Sequence, residues 1–266
     1  MRINKYTFFL IGYLLQNIIF WVGIQSSGIT DLTINLLYSF SNGFLATAAG
    51  IMGLLISRHW GGSKSAVGKA VMFISLGITS WGIGTLTWSF YNFVLNIEVP
   101  YPSWADLGYT LAIPFWAIGV FYLSKATGAR FTLRKLRGRL MLILLPLLAA
   151  VASYYFLYVI ARESSFVIEG ELLKIFLDFY YPLGDWIILT VAFLLFGLSL
   201  QYLGGRFRWP VMIIILGFIF MFISDFTFSY TTTVGSYFNG HFADLLFTVA
   251  IFVISFGVTG FDTQET

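Results

Sequence analysis

The stretch WPVMIIILGFIFMFISDFTFSY, residues 209–230, decides the fold of this chain. It holds a single charged residue, Asp225, in an otherwise apolar and weakly polar run. About 20 mostly apolar residues are enough for a helix to cross the hydrocarbon core of a bilayer. We therefore interpret the stretch as a transmembrane helix, which places the Asp225 carboxyl group inside the membrane.

The composition of the whole chain agrees with a membrane protein. Of its 266 residues, 58% are hydrophobic and 10% are charged, whereas soluble domains average about 25% charged residues. The chain has no Cys, which excludes disulfides, thiol chemistry and Cys-ligated metals. Its two histidines, His59 and His241, fall in loops predicted on opposite sides of the membrane, so no haem or metal site is expected.

No catalytic or nucleotide-binding motif occurs in the sequence. We therefore expect no enzyme activity, no catalytic residue, no cofactor and no nucleic-acid partner. The partner that the composition implies is the lipid bilayer itself.

The predicted fold class is an all-α polytopic membrane protein with eight transmembrane helices. Apolar runs of spanning length occur at 6–24, 34–57, 69–94, 105–124, 140–161, 175–202, 209–230 and 242–260. The first run lacks a clear cleavage site, so we interpret it as a retained helix.

The charges of the loops predict the orientation. Every Lys and Arg except Arg162 and Lys174 lies before span one or directly after spans two, four or six. Basic residues mark the cytoplasmic side, so we expect both termini in the cytoplasm of a chain in the cell membrane. The basic segment 125–139 is interpreted as a cytoplasmic linker. It is either a topology determinant attracted to anionic lipid or a docking patch for a signalling partner.

The two halves of the chain resemble each other. The segment YSFSNGF (38–44) matches YPLGDWI (181–187), and WADLGYT (104–110) matches FADLLFT (242–248). The matched residues, first half to second, are Asn35 and Asp178, Tyr38 and Tyr181, Asn42 and Asp185, Thr85 and Asp225, and Asp106 and Asp244. Four spans per half predict two parallel four-helix repeats (4+4), namely 1–124 and 140–266, joined by the linker 125–139.

Two of the matched carboxylates have a structural interpretation. Ser103 and Asp106 form an S-x-x-D variant of the capping box at the start of span four, where a negative charge also suits the helix dipole. Asp244 follows Asn239-Gly240-His241 and is interpreted in the same way, with a weaker cap.

Three other carboxylates lie deeper. Asp178 and Asp185 are two turns apart on one face of span six, and Asp225 lies in span seven. No Lys or Arg falls within the spans except Lys69, the first residue of span three, so we expect neutral partners for these groups. One interpretation is a protonated Asp in an interhelical hydrogen-bond network; the other is a site for a cation, a proton or a polar ligand.

The candidate ligand or ion site therefore lies in the outer half of the bundle. Aromatic residues crowd the same level, either as an interfacial belt or as faces for an organic cation. The candidate residues are Asp185, Asp225, Asp178, Asp106, Asp244, Asn35, Asn42, Tyr181, Trp88, Tyr109 and Tyr230.

Several segments resemble a known class of modules. PYPSWADLGY (100–109), YPLGDW (181–186) and the SDFTFSY (224–230) and FADLLF (242–247) segments are similar to the multi-pass membrane modules that precede output domains in some bacterial and archaeal diguanylate cyclases and sensor kinases. The matching positions are Pro102, Ala105, Asp106, Tyr181, Pro182, Asp185, Asp225 and Asp244. The resemblance implies a sensory role. Only FDTQET (261–266) follows span eight, so we expect the signal to pass to a separate partner.

Three functions follow as hypotheses. The first is a sensory or regulatory module that binds a small ligand or cation and signals through partner contacts. The second is a small transporter or ion pathway that uses the intramembrane carboxylates. The third is a structural subunit of a membrane complex. The ligand, the partner and the oligomeric state stay open.

Overall fold

The computed structural model describes residues 4–28, 33–127, 136–164, 171–199 and 207–262. Within those ranges the protein is built of eight long helices, each long and apolar enough to cross a membrane. They are α1 (Lys5–Ser27), α2 (Thr33–His59), α3 (Ala66–Phe93), α4 (Trp104–Ala126), α5 (Leu136–Ser153, continued by a π-helical segment Tyr154–Ile160), α6 (Leu172–Ser199), α7 (Arg208–Thr233) and α8 (Phe242–Thr259). A short 3₁₀ turn, Gly62–Lys64, separates α2 from α3. The prediction of an all-α protein with eight spanning helices is confirmed. Much of the basic linker, 128–135, lies outside the described residues.

The helices pack mainly against their neighbours in sequence within each half. α1 packs on α2, α2 on α3 and α3 on α4, and the same series joins α5, α6, α7 and α8, except that no close α4–α5 contact links the two series. Across the halves, α8 packs against α1, α2 and α3, and α4 packs against α6. The halves therefore meet through α8 on one side and through the α4–α6 pair on the other.

The outer surface of the bundle is apolar. Large hydrophobic side chains are exposed along α1 to α7, and α1 and α5 bury the smallest part of their apolar length. Soluble monomers seldom expose apolar patches beyond a few hundred Å². Such a surface is stable against lipid tails, which agrees with a multi-pass membrane protein.

Small residues bring helices into close contact at several crossings, and two of these crossings use the same pair of residue types. A Cβ atom at Gly119 of α4 would lie 2.8 Å from the Ile74 backbone nitrogen of α3. A Cβ atom at Gly257 of α8 would lie 3.0 Å from the Ile214 backbone nitrogen of α7. Without a hydrophobic driving force in lipid, such close packing holds helices together. The α3–α4 and α7–α8 pairs thus use the same contact between a glycine and an isoleucine.

A proline in the middle of α4 frees one backbone carbonyl. Pro114 has no N–H, so the carbonyl of Thr110, four residues earlier, has no helical donor. The hydroxyl of Tyr180 in α6 donates to this oxygen at 2.8 Å. A neighbouring helix thus satisfies a backbone group that lipid would leave unpaired, and the bond ties α4 to α6.

Candidate functional site

The start of α4 confirms the predicted capping box. The Ser103 side chain accepts from the backbone N–H of Ala105 at 3.2 Å, and Asp106 Oδ2 accepts from the Ser103 N–H at 2.7 Å. The other carboxylate oxygen, Oδ1, accepts a hydrogen bond from the Tyr181 hydroxyl of α6 at 2.5 Å. Asp106 therefore both caps α4 and links it to α6.

The start of α8 has a related arrangement. His241 Nδ1 accepts from the backbone N–H of Ala243 at 3.1 Å, and Asp244 Oδ2 accepts from the Gly240 N–H at 2.7 Å. The Tyr237 hydroxyl donates to Asp244 Oδ1 at 3.1 Å. Burial, and then the charge of Asp244, raise the pKa of Tyr237 well above its ordinary value. Its hydroxyl therefore stays a hydrogen-bond donor at neutral pH.

The sequence predicts neutral partners for the deeper carboxylates, and for Asp178 this prediction is wrong, because Arg162 pairs with it. Arg162 lies just past the π-helical segment at the C-terminal end of α5, and its Nη1 is 3.7 Å from Asp178 Oδ1. The same nitrogen donates to the Asp178 backbone carbonyl at 3.1 Å. That carbonyl is free because Pro182, four residues later, has no N–H. Arg162 thus neutralises the Asp178 carboxylate and also supplies a hydrogen bond to the backbone carbonyl that Pro182 leaves without a donor.

Tyr101 joins this ion pair from the loop before α4. Its hydroxyl donates to Asp178 Oδ1 at 3.0 Å. Burial, followed by the charge of Asp178, raises the pKa of Tyr101. With the Tyr181–Asp106 bond, the loop before α4 and its first turn are tied to the N-terminal part of α6 by two hydroxyl–carboxylate contacts.

Asp185 and Asp225 are brought together. Asp185 lies at the middle of α6, and its carboxyl group lies close enough to that of Asp225 in α7 for the two charges to interact. Arg162 also acts electrostatically on Asp185. The sequence placed both carboxylates inside the membrane but gave no reason to pair them, since they stand in different helices.

Of the remaining predicted residues, four lie in the interior of the bundle and one, Tyr230, is exposed. Trp88 Nε1 donates to Asn239 Oδ1 at 3.1 Å, and Tyr109 donates to Thr85 Oγ1 at 3.4 Å, so both face other helices or loops of the bundle. Asn35 and Asn42 are buried in α2, and Asn42 Oδ1 has no hydrogen-bond partner among the described residues. Tyr230 is exposed and stacks on Phe226.

A cavity of about 260 Å³ lies between α4 and α6. It is lined by Ile113, Pro114, Ala117, Ile118, Tyr180, Leu183, Gly184 and Ile187. Leu183 is exposed at its edge, and the lining is almost wholly apolar. This cavity suits hydrocarbon rather than a charged ligand.

Sequence reasoning missed three participants in the site. Arg162 was assigned to a loop, and Tyr101 and Tyr237 were not singled out. A signal was present for Arg162, because it and Lys174 are the two basic residues predicted on the acidic side. Within the described ranges, no group of three or more His, Asp or Glu side chains is placed to hold a metal ion.

Comparison with known proteins adds no assignment. No protein family matches the chain, no curated protein is significantly similar to it, and no solved structure resembles it significantly. The resemblance to sensory membrane modules stays a prediction.

Proposed function

We propose that this chain is an integral membrane sensory or regulatory module that binds a small ligand or cation in the outer half of its bundle. The observation that carries the proposal is the set of hydroxyl–carboxylate contacts that tie α4 to α6, above all Tyr181 to Asp106. These contacts lie in the same outer half as the paired carboxyl groups of Asp185 and Asp225. A ligand that alters the charge of that pair would therefore alter how α4 and α6 pack. Differential binding of two packing states is the physical basis of a sensor.

The test has a binding arm and a conformational arm. The purified chain in lipid nanodiscs is melted at different pH values and with inorganic and organic cations. We expect at least one condition to raise the melting temperature of the wild type but not of Asp185→Asn. Glu98→Gln, which changes an exposed loop carboxylate, is the matched control and keeps the response.

The conformational arm uses the absence of cysteine from the chain. Spin labels on Leu107→Cys of α4 and Leu183→Cys of α6, both exposed positions, report the distance between the two helices. The stabilising condition should shift this distance, and Tyr181→Phe should reduce the shift. Unchanged melting and unchanged distance under all conditions would reject a sensory function.

A small proton or ion pathway is the second candidate, favoured by the break at Pro182 next to a carboxyl pair at mid-helix. Broken helices at a midplane site are typical of transporters. In proteoliposomes with an internal pH dye, Asp185→Asn should abolish flux and Glu98→Gln should leave it intact. Equal flux in the wild type and Asp185→Asn would reject Asp185 as the coupling group.

We also propose that the bundle consists of two parallel four-helix repeats, 1–124 and 140–266. The repeat aligns Gly119 and Ile74 with Gly257 and Ile214, and these are the residues of the two equivalent helix crossings. It also pairs Tyr181, which donates to Asp106, with Tyr38, whose hydroxyl lies 2.9 Å from Thr248 Oγ1, one turn from Asp244.

The proposed orientation places both termini in the cytoplasm and the module in the cell membrane. The distribution of Lys and Arg supports it. The basic segment 125–139 then faces the cytoplasm, where it meets anionic lipid or a signalling partner.

A further inference from the structure

The apolar cavity of about 260 Å³ lies between α4 and α6, where the two halves of the chain meet. Ile113 and Ile118 bound its wall on α4, and Tyr180 and Ile187 bound its wall on α6. Among the lining residues, Tyr180 alone carries a polar side-chain atom, and its hydroxyl already donates to the Thr110 carbonyl at 2.8 Å. Apolar cavities of this kind stay free of water, so the walls favour hydrocarbon.

The cavity lies at the middle of both helices. Ile113 and Ile118 are about 13–21 Å along the axis from the start of α4. Tyr180 and Ile187 lie around the middle of α6, which has 28 residues. The hydrocarbon core of a bilayer is about 30 Å thick. At this depth the surroundings of the protein are acyl chains, and headgroups and water are distant.

The cavity opens toward the lipid. Pro114 and Ile118 of α4 and Leu183 of α6, which belong to its lining, are exposed. Its volume also exceeds the about 150 Å³ of an apolar cavity that binds benzene. A segment of an acyl chain can therefore enter from the side, without passing through the protein.

The other joint between the halves, where α2 meets α8, shows how such a groove is closed. Helix α1 packs against both of these helices. The Thr7 hydroxyl of α1 lies 3.0 Å from the Thr259 hydroxyl of α8, and Ser41 of α2 donates to the Tyr13 hydroxyl of α1 at 3.3 Å. A third helix therefore covers the groove between α2 and α8.

Helix α5, the counterpart of α1 in the proposed repeat, does not cover the groove between α4 and α6. It packs on α6, where Trp186 Nε1 donates to the Pro146 carbonyl at 3.0 Å. Its π-helical continuation packs on α7, where the ring centroids of Phe156 and Phe226 are 5.6 Å apart. No close packing joins α5 to α4 in the part of the chain that the structure describes. Lipid, and not a helix of this chain, therefore borders the groove that contains the cavity.

We propose that this cavity is a binding site for one lipid acyl chain, which enters from the bilayer and packs against α4 and α6 together. An empty cavity forfeits contacts with its walls and lowers stability, and acyl chains are the apolar molecules present at this depth. The bound chain takes the place at this joint that α1 takes at the other. Because it contacts both halves, it stabilises the observed arrangement of α4 and α6 relative to one in which the two helices close on each other.

The acyl-chain site is separate from the site of the proposed function. Its lining contains no carboxyl group, whereas the proposed function depends on the charges of Asp185 and Asp225. Asp185 follows Gly184 in the sequence, but only Gly184 belongs to the lining. The inference therefore adds a second input, the acyl chains of the surrounding bilayer, which acts on the same pair of helices.

Photolabelling of the full chain in nanodiscs tests the site. The probe is a phosphatidylcholine with a diazirine near the middle of one acyl chain, and mass spectrometry maps the labelled residues. We expect Ala117 and Leu183 to be labelled several-fold more than Leu15 and Ile19, which are exposed on α1 and report passing lipid. Excess unlabelled phosphatidylcholine and an unlabelled fatty acid are then added as competitors. The more effective of the two identifies the source of the bound chain.

Variants that fill the cavity should remove the excess labelling. Ala117→Leu fills it from α4 and Ile187→Phe fills it from α6, so each should reduce the labelling of Leu183 to the level of Leu15. Gly12→Leu adds an equally large side chain in α1, where a Cβ atom meets nothing within 4 Å, and should leave the labelling of Leu183 unchanged. Native mass spectrometry should detect one phospholipid retained per wild-type chain after purification in detergent, and none on either filled variant.

Two results would overturn the acyl-chain site. One is equal labelling of the cavity and of α1 in the wild type, and the other is labelling of Leu183 that survives both filling variants. Asp185→Asn should keep the labelling, although it removes the response to cations that the proposed function predicts. The two proposals can thus fail separately: absent labelling leaves the sensory function in place, and an absent response to cations leaves the acyl-chain site in place.

Discussion

At the scale of single residues, Arg162 has the largest unexpected role. It pairs with the Asp178 carboxylate and donates to the Asp178 carbonyl that Pro182 leaves free. Both contacts use Arg162 Nη1, and they engage two different oxygen atoms of Asp178. An unpaired charge that is largely buried is unfavourable, so a cation beside Asp178 stabilises the N-terminal part of α6.

We expect Arg162→Gln to destabilise the protein by about 1–3 kcal/mol, the penalty for a buried polar group left unsatisfied. In the Pro182→Ala background the helix regains its own donor to Asp178, so the same substitution should be less damaging. Unfolding free energies of the four proteins of this double-mutant cycle measure the difference.

Lys174→Gln, which removes the other outer basic residue, is the control and should have little effect. Strict additivity of Arg162→Gln and Pro182→Ala would contradict the coupling between the proline and the guanidinium group.

His241 predicts a pH dependence at the start of α8. Burial lowers its pKa from the ordinary value of 6.5, and its Nδ1 must be unprotonated to accept from the Ala243 N–H. The folded state therefore binds fewer protons than the unfolded state when the pH falls below about 6.5. Its contribution to stability is present above that pH and is lost as the pH falls through the folded-state pKa.

Melting curves in nanodiscs across this range check the prediction. Asn is an effective N-cap residue that does not titrate, so His241→Asn should flatten this part of the pH profile. Identical slopes in the wild type and His241→Asn would assign the pH dependence to other groups.

At the scale of helices, the close crossings hold the pairs together. In lipid, helix association depends on van der Waals contact and interhelical hydrogen bonds. Both contributions occur here: glycines at the α3–α4 and α7–α8 crossings, and tyrosine hydroxyls between α4 and α6. The prolines of α4 and α6 add to the second contribution, because each frees a carbonyl for a donor from another part of the chain.

Alanine at a crossing glycine should separate the helices. Gly119→Ala and Gly257→Ala each introduce a Cβ atom that would lie within 3.0 Å of a backbone nitrogen. Such overpacking typically destabilises by about 1–3 kcal/mol, measurable as a lower melting temperature. Gly12→Ala in α1 is the matched control, since a Cβ atom there meets nothing within 4 Å. Equal effects at Gly12 and Gly119 would mean that helix propensity, not packing, sets the response.

At the scale of the whole molecule, the two halves have similar helix pairs but different chemistry. The aligned positions are Asn42 and Thr85 in one half and Asp185 and Asp225 in the other. Only the second half has the π-helical segment and the Arg162 ion pair among the described residues. The contacts between α4 and α6 join the two halves, and under the proposed function they would carry a change in the second half to the first.

The orientation can be tested because the chain has no cysteine. Ser63→Cys and Ser236→Cys each introduce one exposed thiol, at opposite ends of the helices. We expect a membrane-impermeant maleimide to label Ser236→Cys in intact cells and Ser63→Cys only after lysis. The reverse pattern would place the termini outside the cytoplasm.

By itself, the sequence determined the class of fold, the eight helices and the Ser103–Asp106 cap. Each of these depends on local chemistry: the length of an apolar run, or a side chain that reaches a backbone group three residues away. It also marked Asp185 and Asp225 as carboxyl groups inside the membrane, since depth follows from position within a span.

Only the tertiary structure decided which of these groups meet. The contact of Asp185 with Asp225, the bond from Tyr181 to Asp106 and the double role of Arg162 each join separate helices or the loops between them. Such contacts depend on how far each helix is rotated and shifted against its neighbour. In this chain glycine crossings and proline-freed carbonyls help to set that register, and hydropathy and charge counts carry no information about it.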